Sequence, residues 1–185
     1  MYSMKIGRIC LYLCLPCVPT VLMADQNAPE LPALFDELQF ASEPSAVALI
    51  EKQIWQHWLD APDENSALLM FQVGQAMSAG ELDIALMLSN QLVDSSPDYS
   101  EAWNRRATIH YLMGNNDASV ADIRETVLLE PRHFGAISGL GMIFLRDKNP
   151  EAALDAFEKV LAISPNSPGA LESVARVRRE LGREI

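Results

Sequence analysis

The chain has 185 residues, of which 49% are hydrophobic and 21% are charged. This is enough for one domain with a hydrophobic core and too little for two large domains. Acidic residues number 25 against 14 Lys and Arg, giving a net charge of −11, and because a phosphate backbone repels such a surface, the composition argues against nucleic acid as a partner.

The first 24 residues have the pattern of a secretory signal peptide. Lys5 and Arg8 form a basic start, residues 9–23 are an almost wholly apolar run, and Ala24 precedes a polar linker over 25–30. The run is shorter than the roughly 20 residues of a membrane-spanning helix. We therefore expect cleavage after Ala24 and export, with a bacterial periplasm as the expected compartment. The alternative is an uncleaved anchor, and membrane contact is expected only in that case.

All cysteines of the chain lie in this N-terminal segment: Cys10, Cys14 and Cys17. A cleaved chain would therefore have no disulfide, no thiol nucleophile and no Cys-bound metal. Its charge would be uneven, because Lys52 is the only basic residue between 25 and 104, whereas 11 basic and 11 acidic residues follow from Arg105 onward. We interpret the acidic half as a solvated surface.

Two helices are predicted in the region 31–65, over residues 31–40 and 44–59. The second carries apolar residues at helical spacing on one face: Val47, Ile50, Ile54 and Trp58. Pro62 precedes Pro97 by almost the same interval that separates Pro97 from Pro131. Because that interval is the period of the region that follows, we interpret this pair as a possible decayed repeat.

The region 66–167 repeats at a fixed interval, which is the spacing between its successive prolines. The same offset relates three prolines, three small residues and three large apolar residues: Pro97, Pro131 and Pro165; Ala85, Ser119 and Ala153; Leu69, Trp103 and Ile137. Agreement of several columns at one offset indicates three units, over 66–99, 100–133 and 134–167.

Each unit is predicted to form two helices. In the middle unit, residues 100–112 and 118–129 have helical spacing, and Gly114 between them suits a left-handed cap position. The small residues Ala107 and Ser119 would let the two helices approach closely. Because one hairpin cannot bury both of its faces, the units must stack, which predicts an all-α solenoid.

These residues resemble the tetratricopeptide repeat (TPR) family. The match lies in Trp103, Ala107, Tyr111, Ser119 and Pro131 of the middle unit and in Gly141, Phe144, Ala153, Phe157 and Pro165 of the next. The resemblance implies three TPR units closed by a C-terminal capping helix over 168–185. It also implies a protein that binds another protein or peptide on the concave face formed by the first helix of each unit.

The family register assigns the groove residues of that concave face. They are Met70, Gly74 and Met77, then Asn104, Arg105, Thr108 and Tyr111, then Ser138, Met142 and Leu145. Methionine adapts to varied surfaces, and Tyr and Arg are favoured interface anchors. We therefore expect an apolar ligand segment with one acidic or polar contact at Arg105. The alternative is that some of the methionines belong to the core.

Some family members hold the C-terminal carboxylate of chaperones through Lys and Asn in this groove. The corresponding positions here are Met70, Gly74, Arg105, Gly135 and Gly139. Only Arg105 among them could hold an anion, which argues against that activity.

One charged pair is expected inside the second unit. Arg106 occupies a register position that is Leu140 in the next unit, and Asp122 lies on the antiparallel partner helix. A subset of the TPR family carries Arg and Asp at these places, and a half-buried charge needs a partner. We expect a structural ion pair.

No catalytic chemistry is indicated. His57, His110 and His133 are the only histidines and have no metal-ligand spacing, and no Gly-rich phosphate loop is present. We expect no enzyme activity, no cofactor and no metal. The leading prediction is a scaffold or adaptor with a ligand in the concave groove. The alternative is a structural subunit of a cell-envelope assembly that packs through the N-terminal pair around Trp55 and Trp58.

Overall fold

A computed structural model describes residues 28–182, and in this range the chain forms helices and no strand. The helices are α1 (Leu31–Phe40), α2 (Pro44–Leu59), α3 (Glu64–Ser78), α4 (Leu82–Ser95), α5 (Ser100–Leu112), α6 (Asn116–Leu129), α7 (Phe134–Arg146), α8 (Pro150–Ile163) and α9 (Pro168–Glu180). Between residues 28 and 182, none of them combines the length and the hydrophobicity needed to cross a bilayer. The predicted signal peptide and the last residues of the predicted cap lie outside this range.

Three hairpins, α3–α4, α5–α6 and α7–α8, stack in sequence, and α9 packs on the last of them. The second helix of each hairpin also packs against the first helix of the next. The predicted all-α solenoid of TPR-like units with a C-terminal helix is confirmed. Helix α6 begins at Asn116, slightly earlier than the apolar pattern indicated.

The turn inside each hairpin repeats the same left-handed residue. Gly80 has φ of 75° and Gly114 has φ of 81°, so the cap predicted at Gly114 is confirmed. Lys148 occupies the same place in the third hairpin with φ of 56°. The following N–H closes each turn onto the helix, as Asn115 N does by donating to His110 O at 2.8 Å. Lysine has a Cβ that disfavours this conformation, so the third turn is the strained one.

Small residues set the distance between the helices of a hairpin. Ser119 Oγ donates to Ala107 O at 2.7 Å, which requires the backbones of α5 and α6 to lie close together. In the third hairpin, a Cβ added at Gly141 would lie 2.7 Å from the Phe157 ring. The close approach expected at Ala107 and Ser119 is therefore present, and Gly141 allows a similar approach in the third hairpin.

The N-terminal pair does not continue the stack in series, and its interpretation as a possible decayed repeat stays a prediction. A fourth repeat in series would stack α2 on α3, whereas the α1–α2 hairpin lies against the turns that join one repeat to the next. Its apolar stripe forms one core with residues of α7, α8 and α9: Leu31, Phe35, Leu38, Val47, Ile50, Ile54 and Trp58 pack with Phe134, Ile137, Val160 and Ala170. We call this contact the docked edge.

Polar bonds fix the docked edge at its two ends. Tyr99 Oη donates to Trp58 O at 2.9 Å at the turn between the first two repeats. Near the turn before α9, Gln39 Nε2 donates to Ala162 O at 2.9 Å, and Asn166 Nδ2 donates to Ala41 O at 2.8 Å. Because each of these bonds occurs once and joins distant parts of the chain, the repeat pattern in the sequence contains no trace of them.

Candidate functional site

The first helices of the second and third hairpins enclose a cavity on the concave face. Its volume is about 350 Å³. It brings together five of the predicted groove residues: Asn104, Thr108, Tyr111, Ser138 and Met142. Ala107, Ser119 and Gly139 contribute to its lining, and Ile123 reaches it from α6 between the two front helices. The small residues thus leave the space open, and the apolar side chain of Ile123 lies within it.

A second cavity of about 640 Å³ lies beside the first hairpin. It contains the predicted residues Met70, Gly74 and Arg105. A Cβ added at Gly74 would meet no atom within 4 Å, so the glycine faces open space. Leu59 and Phe71 also line this cavity, and neither was among the predicted groove residues. Phe71 is 62% exposed, and its place on the α3 face next to Met70 and Gly74 was the available signal.

Two predicted groove residues line neither cavity. Met77 packs against the cluster of Val73, Ala76 and Ala85, and Leu145 packs against the cluster around Phe157. Both side chains contribute to the core between helices. The alternative that some methionines of the stripe are core residues applies to Met77.

Tyr111 is held in place at one wall of the first cavity. The Arg146 guanidinium lies 3.7 Å from the Tyr111 ring centroid, and its Nη1 donates to Tyr111 O at 2.7 Å. Such a cation–π contact stabilises the ring orientation by about 0.5–1 kcal/mol at an exposed site. Tyr111 therefore presents a fixed aromatic surface to the cavity.

Arg105 is less free than the sequence indicated. Its Nη2 donates to Glu101 Oε1 at 2.9 Å, and the Glu101 side chain is fully buried. Asn104 Nδ2 donates to the other oxygen of Glu101 at 2.7 Å. Since Arg105 partly compensates a buried carboxylate, its charge is not wholly available to a ligand. The acidic or polar ligand contact at Arg105 remains a prediction.

His133 completes this buried polar cluster. Its Nδ1 accepts from Ala136 N at 3.1 Å and caps α7, so by this bonding pattern Nε2 carries the hydrogen that points at Glu101 Oε2, 3.2 Å away. The Trp58 ring stacks on the imidazole at a centroid distance of 4.1 Å. The sequence located His133 in a turn, but it gave no signal for a residue that joins the groove helix α5 to the docked edge.

Arg106 and Asp122 meet behind the groove, between α5 and α6. Arg106 Nε donates to Asp122 Oδ2 at 2.8 Å and Nη2 to Oδ1 at 2.7 Å, a two-bond pairing that fixes both side chains. These hydrogen bonds to Asp122 raise the pKa of the guanidinium. His110 Nε2 lies 3.9 Å from Asp122, and burial of the imidazole lowers the pKa of His110. The arrangement is consistent with a role in holding the hairpin together.

One of the chaperone-type positions is occupied by the chain itself. A Cβ added at Gly135 would overlap the Trp55 ring. That ring also makes an edge contact with His133, at a centroid distance of 5.4 Å. The docked edge thus closes the end of the groove at the start of α7.

The surface suggested for the alternative function is also used internally. Trp58 is fully buried in the docked edge, and Trp55 packs against Trp58 and Phe134 at centroid distances of 5.3 and 5.9 Å. Trp58 is therefore not available to a partner, whereas Trp55 keeps part of its surface exposed, and the alternative of an assembly contact through the N-terminal pair stays a prediction.

The three histidines lie in three different parts of the fold. His57 lines a surface cavity between α1 and α2, His110 lies beside Asp122, and His133 is in the docked edge. Over residues 28–182, no three His, Cys, Asp or Glu side chains are grouped so that they could hold a metal ion.

Comparison with known proteins gives concordant matches. A family model for the tetratricopeptide repeat matches residues 113–168. A TPR repeat-containing protein of Rhizobium etli is 33% identical over 166 residues, which cover 87% of this chain and 81% of that protein. DnaJ homolog subfamily C member 3 of Mus musculus is 30% identical over 101 residues, but these cover only 20% of that protein.

A solved structure shares the fold. The first TPR of Spaghetti (RPAP3) bound to the HSP90 peptide SRMEEVD has a TM-score of 0.61 at 19% identity. The match covers 64% of this chain and 94% of that one. At this level of identity, the likeness shows the fold alone.

Proposed function

Because this chain belongs to the tetratricopeptide repeat family, we propose that it is a non-enzymatic protein-interaction scaffold that holds a segment of another protein in its concave groove. The observation that carries this proposal is the cavity between α5 and α7. Its opening is lined by exposed side chains that no packing requirement explains, with Thr108 exposed and Met142 at 47% exposure.

The lining of the groove indicates the chemistry of the segment. Met142 and Ile123 provide apolar contact, and the fixed ring of Tyr111 provides an aromatic surface. Asn104, Thr108 and Ser138 add hydrogen-bonding groups. A segment with apolar anchors and polar or acidic groups between them fits this mixture, since interface cores combine apolar anchors with a polar surround.

The bound segment is proposed to differ from a chaperone tail. RPAP3 binds the HSP90 peptide SRMEEVD through a TPR of the same fold. In this chain, Trp55 fills the space at Gly135, and Gly74 and Gly139 offer no side chain that could hold a carboxylate. We therefore propose that the groove takes an internal segment of its partner instead of a C-terminal carboxylate.

Site-specific crosslinking in the native host tests the groove assignment. A photoreactive amino acid is placed at Met142 in the groove and, as a matched control, at Leu128, which is 74% exposed on α6. The expected result is a discrete crosslinked protein from position 142 that is absent from position 128. Equal crosslinking from both positions, or crosslinking from 128 alone, would contradict the assignment.

We further propose that this role is performed outside the cytoplasm. The support is the basic, apolar and small-residue pattern of residues 1–24. The intact mass of the protein from its source cell provides the test. A chain that begins near residue 25 is expected, and a mass that retains residues 1–24 would contradict cleavage.

A further inference from the structure

The first repeat has an uncovered face that is covered in every later unit of the stack. Position 68 corresponds, by successive steps of the repeat interval, to Ala102, Ala136 and Ala170, which are 0%, 1% and 5% exposed. Leu68 itself is 54% exposed. A buried place in three units is thus open in the first.

A second position on the same face of α3 repeats this contrast. Gln75 corresponds to Ile109, Ile143 and Val177, which are 0%, 1% and 0% exposed. Gln75 is exposed. We call the α3 surface around Leu68 and Gln75 the front face.

The covering element in the later units is always the second helix of the preceding hairpin. Ile109 packs with Ala85 of α4, Ile143 packs with Ile123 of α6, and Val177 packs with Ala153 of α8. No described helix has this place on α3, because the α1–α2 hairpin lies at the docked edge. The front face therefore has the geometry that receives one more helix.

The charge of the first repeat and of the segment just before it restricts which helix fits. Between residues 60 and 99 the chain has seven acidic residues and no basic one. A second copy that docked through the same face would bring two such surfaces together, and like charges across an interface are unfavourable. A helix with basic residues beside its apolar face would be complementary.

We propose that the front face binds an amphipathic helix of a partner protein that carries Lys or Arg beside its apolar stripe. The helix takes the place that α4, α6 and α8 have on the later units. Its apolar side covers Leu68, and its basic residues face the acidic surface of the first repeat. The site is centred on Leu68, which lines neither groove cavity, whereas Gln75 lies where the front face meets the second cavity.

Synthetic peptides and the full chain provide the test. The probe has the sequence of α6, Asn116–Leu129, whose apolar side covers α7 in this protein. A basic version carries Asp117→Lys, Asp122→Lys and Glu125→Lys, and an acidic version keeps these acids and carries Arg124→Glu. The two peptides have the same length and apolar side, so the difference in affinity isolates charge.

The basic peptide is expected to bind at least about tenfold more tightly than the acidic one at low salt, with the difference shrinking as salt screens the charges. Leu68→Glu should weaken binding of the basic peptide about tenfold or more, measured by fluorescence anisotropy with circular dichroism as the fold control. Gln75→Lys should weaken the basic peptide and strengthen the acidic one. Leu171→Glu is the matched control, since Leu171 is 45% exposed on α9, and should change nothing.

Several results would overturn the proposal. They are no binding of the basic peptide at about 1 mM, equal binding of the two peptides, and equal weakening by Leu68→Glu and Leu171→Glu. Sedimentation of the full chain as a dimer that Leu68→Glu dissociates would also overturn it, because the occupant would then be a second copy.

Discussion

The docked edge and the concave groove both contain residues that the sequence marks as candidates for partner contact, yet the two regions differ in how they are filled. At the docked edge, Trp58 is fully buried and stacks on His133. In the groove, Met142 is 47% exposed beside a cavity of about 350 Å³. The difference teaches that an aromatic stripe on a helix is a binding surface only if no other part of the same chain covers it.

The largest effect is expected at the docked edge. Trp58→Ala removes a fully buried side chain from the core shared by α2 and α7. We expect a loss of about 3–5 kcal/mol in the free energy of unfolding, as for other buried aromatic truncations. Chemical denaturation measures it. The control Leu49→Ala, on the same helix at 58% exposure, should change stability by about 0.5 kcal/mol or less, and equal effects would show that the edge is not a core.

The repeats could be predicted from sequence, whereas the docked edge could not. Columns such as Ala85, Ser119 and Ala153 repeat because each unit packs its neighbour in the same way, so local packing leaves a periodic trace. The docked edge depends on single contacts, such as Gln39 with Ala162, which occur once. Its apolar stripe on α2 predicted a buried face, but nothing in the sequence named the helices that bury it.

The sequence also predicted only part of the candidate site. The repeat register placed Asn104, Thr108 and Met142 on one face, and the structure brings them to one cavity. The same register could not distinguish Met77, which turns into the core. Nor could it show that Arg105 is paired with the buried Glu101, because that pair depends on how deeply α5 is covered.

A second large effect is expected behind the groove, at the ion pair that joins α5 to α6. Asp122→Ala leaves Arg106 without its carboxylate, and Asp122 is 4% exposed. Removing one partner of a buried pair costs about 3–5 kcal/mol, and the partial exposure of Arg106 places our expectation near the lower value. In a double-mutant cycle with Arg106→Ala, the losses should be less than additive. Additive losses would show that the pair contributes no coupling.

The same substitution, glycine to alanine, can be made in each of the two regions, and the two results can be compared. Gly135→Ala places a methyl group against the Trp55 ring at the docked edge, whereas Gly74→Ala places it in the open groove. We expect the first to destabilise by about 1–3 kcal/mol through overpacking. The second should stabilise by about 0.5–1 kcal/mol, because alanine favours the helix. Thermal unfolding of both variants measures the two changes in stability. Changes of the same sign would contradict the expected difference between the docked edge and the groove.

A substitution in the turn of the third repeat should raise the stability of the protein. Lys148 has φ of 56° where the two earlier turns have Gly80 and Gly114. Lys148→Gly should raise stability by about 1 kcal/mol, since the left-handed conformation costs a non-glycine residue about that amount. Urea denaturation provides the measurement, and Gly114→Lys is the reverse control, which should destabilise. No gain at position 148 would mean that the lysine is not strained.

The smallest effect concerns pH. Burial lowers the pKa of His110 below its usual value of 6.5, so the folded chain takes up this proton at lower pH than the unfolded chain. The free energy of unfolding should therefore fall as the pH decreases below the usual histidine pKa. It should level off once the pH is below the lowered pKa that His110 has in the folded chain. His110→Gln should reduce this slope between about pH 7 and pH 5. An unchanged slope would assign the pH dependence to other groups.

The most direct test of the groove as the partner-binding surface compares three exposed positions in one assay. Once the crosslinked partner is identified, its affinity is measured by titration calorimetry for Met142→Glu in the groove, Leu128→Glu on α6 and Leu49→Glu on α2. A carboxylate in the groove cavity should weaken binding by about 1–3 kcal/mol, the range of interface anchors, while the other two variants bind as the unaltered chain does. Full affinity for Met142→Glu together with a loss for Leu49→Glu would contradict the account and assign binding to the N-terminal hairpin.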